Sequence, residues 1–290
     1  MSPTAIALIL AAAFAHASWN LFSKQAATTG AVFFLWLLSA AATVIYLPVA
    51  VITWLLARPH PTLLSWVFLV GTGVLQAAYF LFLQRGYRLG DLSLVYPIGR
   101  GSGALLAAVA GIVLLSERPA PVAIAGIASI IGGVVAISLP SRNLATTTGT
   151  GPKAVGFALL TGMFIASYTL WDKYAVATLR TPAVLQGYAA FPFMAAAFWP
   201  IALRHRQRLR HVWRDFRPQV VGAALLAPLA YILVLAALSF TAVSAIAPAR
   251  EVSVLFGVLL GRRLLGEGSV ARRLAAAAAI VAGIIAIALG

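Results

Sequence analysis

Apolar runs of about twenty residues, bounded by charge, proline or glycine, recur along the whole chain, and that is the length a helix needs to cross a bilayer. The pattern predicts ten spans, at roughly 4–26, 31–57, 62–86, 91–115, 120–139, 154–177, 182–203, 218–239, 243–265 and 270–289. Within the runs apolar and polar positions do not alternate, and Ala and Leu dominate. That selects helices rather than the strands of a membrane barrel. A Thr- and Gly-rich stretch breaks the series in the middle. The expected organisation is a first five-span unit over 1–140, a linker over 141–152 and a second five-span unit over 153–290.

The two units repeat one another. Trp19-Asn20-Leu21-Phe22-Ser23-Lys24 lies 149 residues before Tyr168-Thr169-Leu170-Trp171-Asp172-Lys173. Ser93-Leu94-Val95-Tyr96-Pro97 sits opposite Ser244-Ala245-Ile246-Ala247-Pro248, Glu117 opposite Glu267, and Gly133 to Ile137 opposite Gly283 to Ile287. Five spans is an odd number, so the second copy enters the bilayer upside down relative to the first. Inverted repeats are a common construction of secondary transporters, in which two near-equivalent halves exchange conformations around a central site. The expected fold is therefore all-α and membrane-integral, with ten transmembrane helices as two inverted repeats around a cavity.

Composition agrees with this and narrows it. Hydrophobic residues make up 62% of the chain and charged residues 9%, with mean hydropathy +0.98, whereas soluble domains carry about 25% charged residues. There is no cysteine, which excludes disulfides, thiolate catalysis and cysteine metal sites. The N-terminal stretch has Ala-x-Ala sites but no preceding basic residue, as a secretory signal would need, so it reads as a retained first span.

The net charge of +15 does not point to nucleic acid. Six of the 21 basic residues fall between Arg204 and Arg217, and Arg262, Arg263, Arg272 and Arg273 flank the last connector. Basic residues in short connectors set topology and meet anionic headgroups. The odd-numbered connectors hold fifteen Lys and Arg and the even-numbered ones hold three, Arg58, Arg118 and Arg180. This places the odd connectors in the cytoplasm and both termini on the non-cytoplasmic side of the plasma (inner) membrane.

Polar groups inside spans are costly, so they face the bundle interior or water. Span 1 has His16, Trp19, Asn20 and Ser23 on one helical face, with Lys24 beside them. Span 3 has Gln76, Tyr79 and Phe80; span 4 has Tyr96 and Arg100; span 6 has Tyr168, Trp171 and Asp172. Span 8 adds Tyr231, and span 9 adds Arg250 and Glu251. Each stripe is either interhelical glue or the wall of a cavity. Arg100 lies deep in span 4 and needs a partner, Glu251, Asp172 or the carboxylate of a substrate, unless it sits shallow enough to snorkel to water. Pro97 and Pro248 occupy matching positions near the starts of spans 4 and 9, where each serves as a hinge or merely as helix-start geometry. The glycines of Gly99-Arg100-Gly101-Ser102-Gly103 follow no strand, so they read as helix packing rather than a nucleotide loop.

An enzyme is not expected. His-Glu-x-x-His, Gly-x-Ser-x-Gly and Walker motifs are absent from the sequence. No cofactor and no metal site is implied, and without an ATP motif any pumping must draw on an ion or substrate gradient.

The duplicated unit, the stretch His16 to Lys24, and Ser93 to Arg100 leading into Leu115-Ser116-Glu117-Arg118 resemble the drug/metabolite transporter (DMT) superfamily, specifically its EamA family of ten-helix carriers. Leu265-Gly266-Glu267 echoes the last element. The resemblance covers nearly the whole chain. It implies a basket-shaped bundle with a cavity lined by spans 1, 3, 4, 6, 8 and 9, the other spans being peripheral. Members carry amino acids and other metabolites, and within the family the chain resembles the YddG-type aromatic amino-acid exporters. The small multidrug members use a span-1 glutamate, and none stands between Ala5 and Lys24 here. The expected cargo is an amino acid, aromatic or neutral, whose carboxylate meets Arg100. A drug, organic-cation or sugar carrier of the same superfamily is the alternative. The implied partners are the small-molecule substrate and the lipid bilayer, and the resemblance leaves oligomeric state open, a monomer included.

Overall fold

In the computed structural model, residues 1–25, 31–89, 92–138, 152–253, 256 and 270–289 are described. They form ten helical segments. In chain order these are α1 (Pro3–Gln25), α2 (Ala31–Ala57), α3 (Leu63–Leu89), α4 (Leu92–Leu114), α5 (Pro121–Ser138), α6 (Pro152–Ala177), α7 (Ala183–Arg204), α8 (Arg206–Leu238), α9 (Val243–Ala249) and α10 (Val270–Leu289). α1, α5 and α6 each begin on proline, whose missing N–H is no loss in the first turn. Six of the described helices are long and apolar enough to cross a membrane, α1, α2, α3, α6, α7 and α8. Large apolar side chains such as Val44, Leu56, Leu63, Val113 and Leu114 stand exposed on the outside of the bundle. Such a surface would drive aggregation in water and is the surface that lipid solvates. The chain is a multi-pass membrane protein.

The helices interleave. α1 packs along α8 and α6 along α3; α2 meets α8 and α3 meets α7; α2 packs on α7, α5 on α10 and α4 on α9. With α1–α5 matched one to one onto α6–α10, the α1–α8 and α3–α6 contacts are one contact made twice, as are α2–α8 and α3–α7. Neither half therefore forms a core by itself. Small residues allow the closest approaches. A Cβ on Gly126 would lie 2.6 Å from the Gly283 carbonyl, and one on Gly283 equally close to that of Gly126, so α5 and α10 touch backbone to backbone. Gly99 and Gly103 of α4 face Gly162 of α6 in the same way, which is the packing role expected for the glycine series.

Two elements differ from the sequence pattern. The basic stretch expected as the seventh connector is helical: α8 starts at Arg206 and runs on through a kink at Phe216 (φ −125°, ψ 23°). Pro218 explains the kink, because it removes a hydrogen bond and its ring presses on the preceding turn. The segment before the kink is amphipathic, with Val212 buried, the Arg217 guanidinium 5.5 Å over the Trp213 ring, and Arg206, Arg208, Arg210 and Arg214 exposed. This is the composition of a helix lying in the membrane interface. Span 9, expected to run unbroken from residue 243, leaves regular α-helix after Ala249. Glu251 N–H returns to the Pro248 carbonyl and Ser253 N–H to that of Arg250, both three residues back. Residues 254–255 and 257–269, with Glu267 among them, lie outside the described residues.

Candidate functional site

Among the described residues, the helices surround a cavity whose wall draws on seven of them and on the turn after α9. α1 places His16 and Trp19 there, α3 Gln76, Tyr79 and Phe80, α4 Arg100, α6 Tyr168, α8 Tyr231 and the turn after α9 Arg250. These are side chains three, four or seven apart on their helices, so each helix turns one face to the same space. The cavity offers about 70 Å³ to the centres of water-sized solutes, several times the need of one water. Aromatic rings from α1, α3, α6, α7 and α8 supply its largest side chains. Tyr168 lies edge-on to both Tyr79 and Tyr231, with ring centres 5.9 Å apart in each case.

The wall includes residues from helices expected to be peripheral. Leu38 of α2 and Phe191 and Met194 of α7 complete it, which corrects the assignment of spans 2 and 7. The cause is the interleaving: α2 and α7 pack on each other and on α8 and α3, which closes that side of the cavity.

Arg100 is almost fully buried, and Glu251 takes up one edge of it. Its Nε donates to Glu251 Oε2 at 3.0 Å and its Nη2 to Oε1 at 2.8 Å. Its Nη1 lies 3.2 Å from His16 Nε2. Of the partners open to Arg100, the structure forms the internal ion pair, and this joins α4 of one half to the turn after α9 of the other. The other nitrogen of His16 accepts from Trp19 Nε1 at 3.2 Å. A donor faces each ring nitrogen, and a neutral imidazole can accept from only one of the two, since the other carries its proton. Arg250 lies in the same layer, its Nη1 donating to Thr169 Oγ1 at 3.3 Å and its guanidinium 5.8 Å over the Tyr168 ring.

Behind the tyrosines is a second polar cluster. Asp172 is fully buried and off the cavity wall. It accepts from Gln186 Nε2 on Oδ1 at 2.7 Å, from Thr72 Oγ1 on Oδ2 at 3.0 Å, and from the Tyr231 hydroxyl. α6, α3, α7 and α8 therefore meet at one carboxylate. Trp171 also points away from the cavity: it stacks on Phe68 at 4.1 Å and donates to the Phe68 carbonyl at 2.9 Å. Its indole fills the space where a Cβ on Gly71 would lie.

Asn20 and Ser23 are off the wall. Asn20 turns its amide back to the His16 carbonyl at 2.7 Å, and Ser23 is half-buried on α1. The Lys24, Tyr96 and Pro97 side chains lie outside the described residues. Pro97 and Pro248 are each the sixth residue of their helix. Lys173 caps the C-terminal end of α8, donating to the Leu238 and Thr241 carbonyls at 2.8 Å. Glu117 caps α9 from across the fold, accepting from Val243 N–H at 2.7 Å and Ser244 N–H at 2.8 Å. Among the described residues no group of His, Asp and Glu is gathered to hold a metal ion.

Sequence reasoning missed Gln186, Thr72 and the capping role of Glu117. Gln186 carried a signal, an amide inside an apolar span. Thr72 carried none, since threonine satisfies itself on its own helix and is common in membrane spans.

Among curated proteins none matches the sequence. The crystal structure of another protein superposes with a TM-score of 0.75 at 16% identity, over 100% of this chain and 98% of the other. That likeness is one of fold. The profile of the EamA-like transporter family matches twice, over residues 3–139 and 152–289. With both halves matched and a cavity between them, the chain belongs to the EamA-like transporter family, within the drug/metabolite transporters.

Proposed function

We propose that this transporter exports small metabolites, above all aromatic and neutral amino acids, by alternating access between two inverted five-helix repeats. The observation that carries the reading is the cavity itself. Trp19, Tyr79, Phe80, Tyr168, Phe191 and Tyr231 offer aromatic surface, and His16, Gln76 and Arg250 supply the few polar contacts. A largely apolar pocket with a small number of convergent polar groups suits a ligand with an apolar body and a polar head. Both halves contribute to it, and their reciprocal packing supports two arrangements of similar energy. Pro97 and Pro248, at equal positions in α4 and α9, are the hinges in this reading. The odd connectors, the basic helix before Phe216 among them, face the cytoplasm.

The test is exchange of labelled phenylalanine and threonine by the purified protein in liposomes. Saturable exchange above that of empty liposomes, competed by unlabelled amino acid, supports the reading. No flux of either, with uptake of an organic cation or a hexose instead, would replace it with the drug or sugar alternative.

A further inference from the structure

The cavity contains two arginines, and only one makes hydrogen bonds along its carboxylate-binding edge. Arg100 gives that edge, Nε together with Nη2, to the two oxygens of Glu251. Arg250 presents the same edge, and among the described residues neither its Nε nor its Nη2 makes a hydrogen bond, although both are buried. Glu251 Oε1 lies 3.5 Å from the Arg250 Nε and bonds Arg100 instead. One carboxylate thus stands between two guanidinium groups, and the three side chains together keep one positive charge. Asp172 does not neutralise it by contact, being held by Gln186, Thr72 and Tyr231.

A buried cation with two donors that make no hydrogen bond is a costly arrangement, and the ion-pair contact to Glu251 at 3.5 Å offsets only part of it. Arg250 is on the cavity wall, and a turn of its side chain, of the kind ligands commonly induce, brings that edge to whatever occupies the cavity. That edge has two parallel N–H groups, which match the two oxygens of a carboxylate. Around it are the Tyr168 ring, under the guanidinium, and the aromatic side chains beyond. We infer that Arg250 is the anion site of this cavity and that it takes a carboxylate attached to an apolar or aromatic body. Arg100, expected from sequence to hold that carboxylate, instead binds Glu251 and joins the halves. The inference deepens the export reading and depends on it for the identity of the cargo, but the anion site is testable without transport.

The test uses the full chain in detergent and 3-phenylpropanoate, a carboxylate with an aromatic body and no amine. Its uncharged amide serves as the control, and binding is followed by tryptophan fluorescence. The expected result is that the acid binds about tenfold or more tightly than the amide, the margin of a charged hydrogen-bonded pair. Arg250→Gln should abolish that preference. Arg250→Lys should keep part of it, since lysine keeps the charge but not the two-pronged edge. Both variants are first compared with the parent by thermal unfolding, and the Lys variant decides if the Gln variant does not fold. Equal binding of acid and amide, or an unchanged preference in a folded Arg250→Gln protein, overturns the anion site. Failure of amino-acid exchange in liposomes, with the acid preference intact, overturns the export reading and leaves the anion site standing.

Discussion

At the scale of single residues, this protein meets the cost of intramembrane charge in three different ways. Arg100 and Glu251 pair directly, Asp172 is held by neutral donors, and Arg250 keeps an edge without a hydrogen bond beside the same carboxylate. Removing one partner of a buried pair strands the other, at a cost of about 3–5 kcal/mol, whereas replacing both by apolar groups costs much less. Glu251→Ala is therefore expected to lower the thermal unfolding temperature in detergent clearly, and Arg100→Met with Glu251→Met to recover most of the loss. An unchanged unfolding temperature in the single variant would show that the pair does not hold the two halves together. Asp172→Asn exchanges an oxygen that accepts two hydrogen bonds or one that accepts a third for an amide nitrogen, which leaves a donor facing donors. A loss of about 1–3 kcal/mol in stability is expected, with amino-acid exchange reduced but present. A folded variant without any exchange would make Asp172 part of the transport cycle rather than a structural hub. The stripes containing His16, Trp19, Gln76, Tyr79 and Tyr168 were readable because helical spacing alone puts them on one face. Whether Arg100 met Glu251 or a substrate was not readable, because its partner is 151 residues away.

At the scale of elements, small residues and caps decide how the helices meet. Gly126 and Gly283 let α5 and α10 approach until each backbone touches the other. A side chain at either must push the pair apart, and α5–α10 is among the most extensive packings in the fold. Gly126→Leu is expected to reduce the yield of folded protein and lower the unfolding temperature, while Gly132→Leu, at a position with open space, should not. Equal behaviour of the two variants would refute close packing as the reason for the glycine. Glu117 satisfies two N–H groups at the start of α9. Glu117→Ala should cost about 0.5–2 kcal/mol, the range for a lost helix cap, and raise hydrogen exchange at Val243 and Ser244. Unchanged exchange there would mean that water replaces the carboxylate. Element positions were largely legible from apolar run length. The helix from Arg206 was not, since a dense run of arginine looks like a connector until an interface is available to solvate its two faces differently.

At the scale of the whole molecule, the absence of native cysteine makes single-cysteine labelling free of background. The charge asymmetry predicts that a membrane-impermeant maleimide reaches Arg118→Cys in intact cells and Arg208→Cys only after permeabilisation. The opposite pattern would invert the orientation and turn the proposed export direction round. The sequence by itself determined the membrane solvent, the all-helical class, the duplication and most of the polar stripes. Each of these follows from run length, composition and spacing within one segment, which are local properties. Only the tertiary structure decided that α2 and α7 join the cavity wall, that Asp172 and Trp171 turn away from it, and that Glu251 hydrogen-bonds Arg100 and not Arg250. Those outcomes depend on which helix of one repeat lies against which helix of the other. Hydrophobic patterning does not encode that choice, since in lipid one apolar helix face is nearly equivalent to another, and glycine contacts and paired polar groups select the partner.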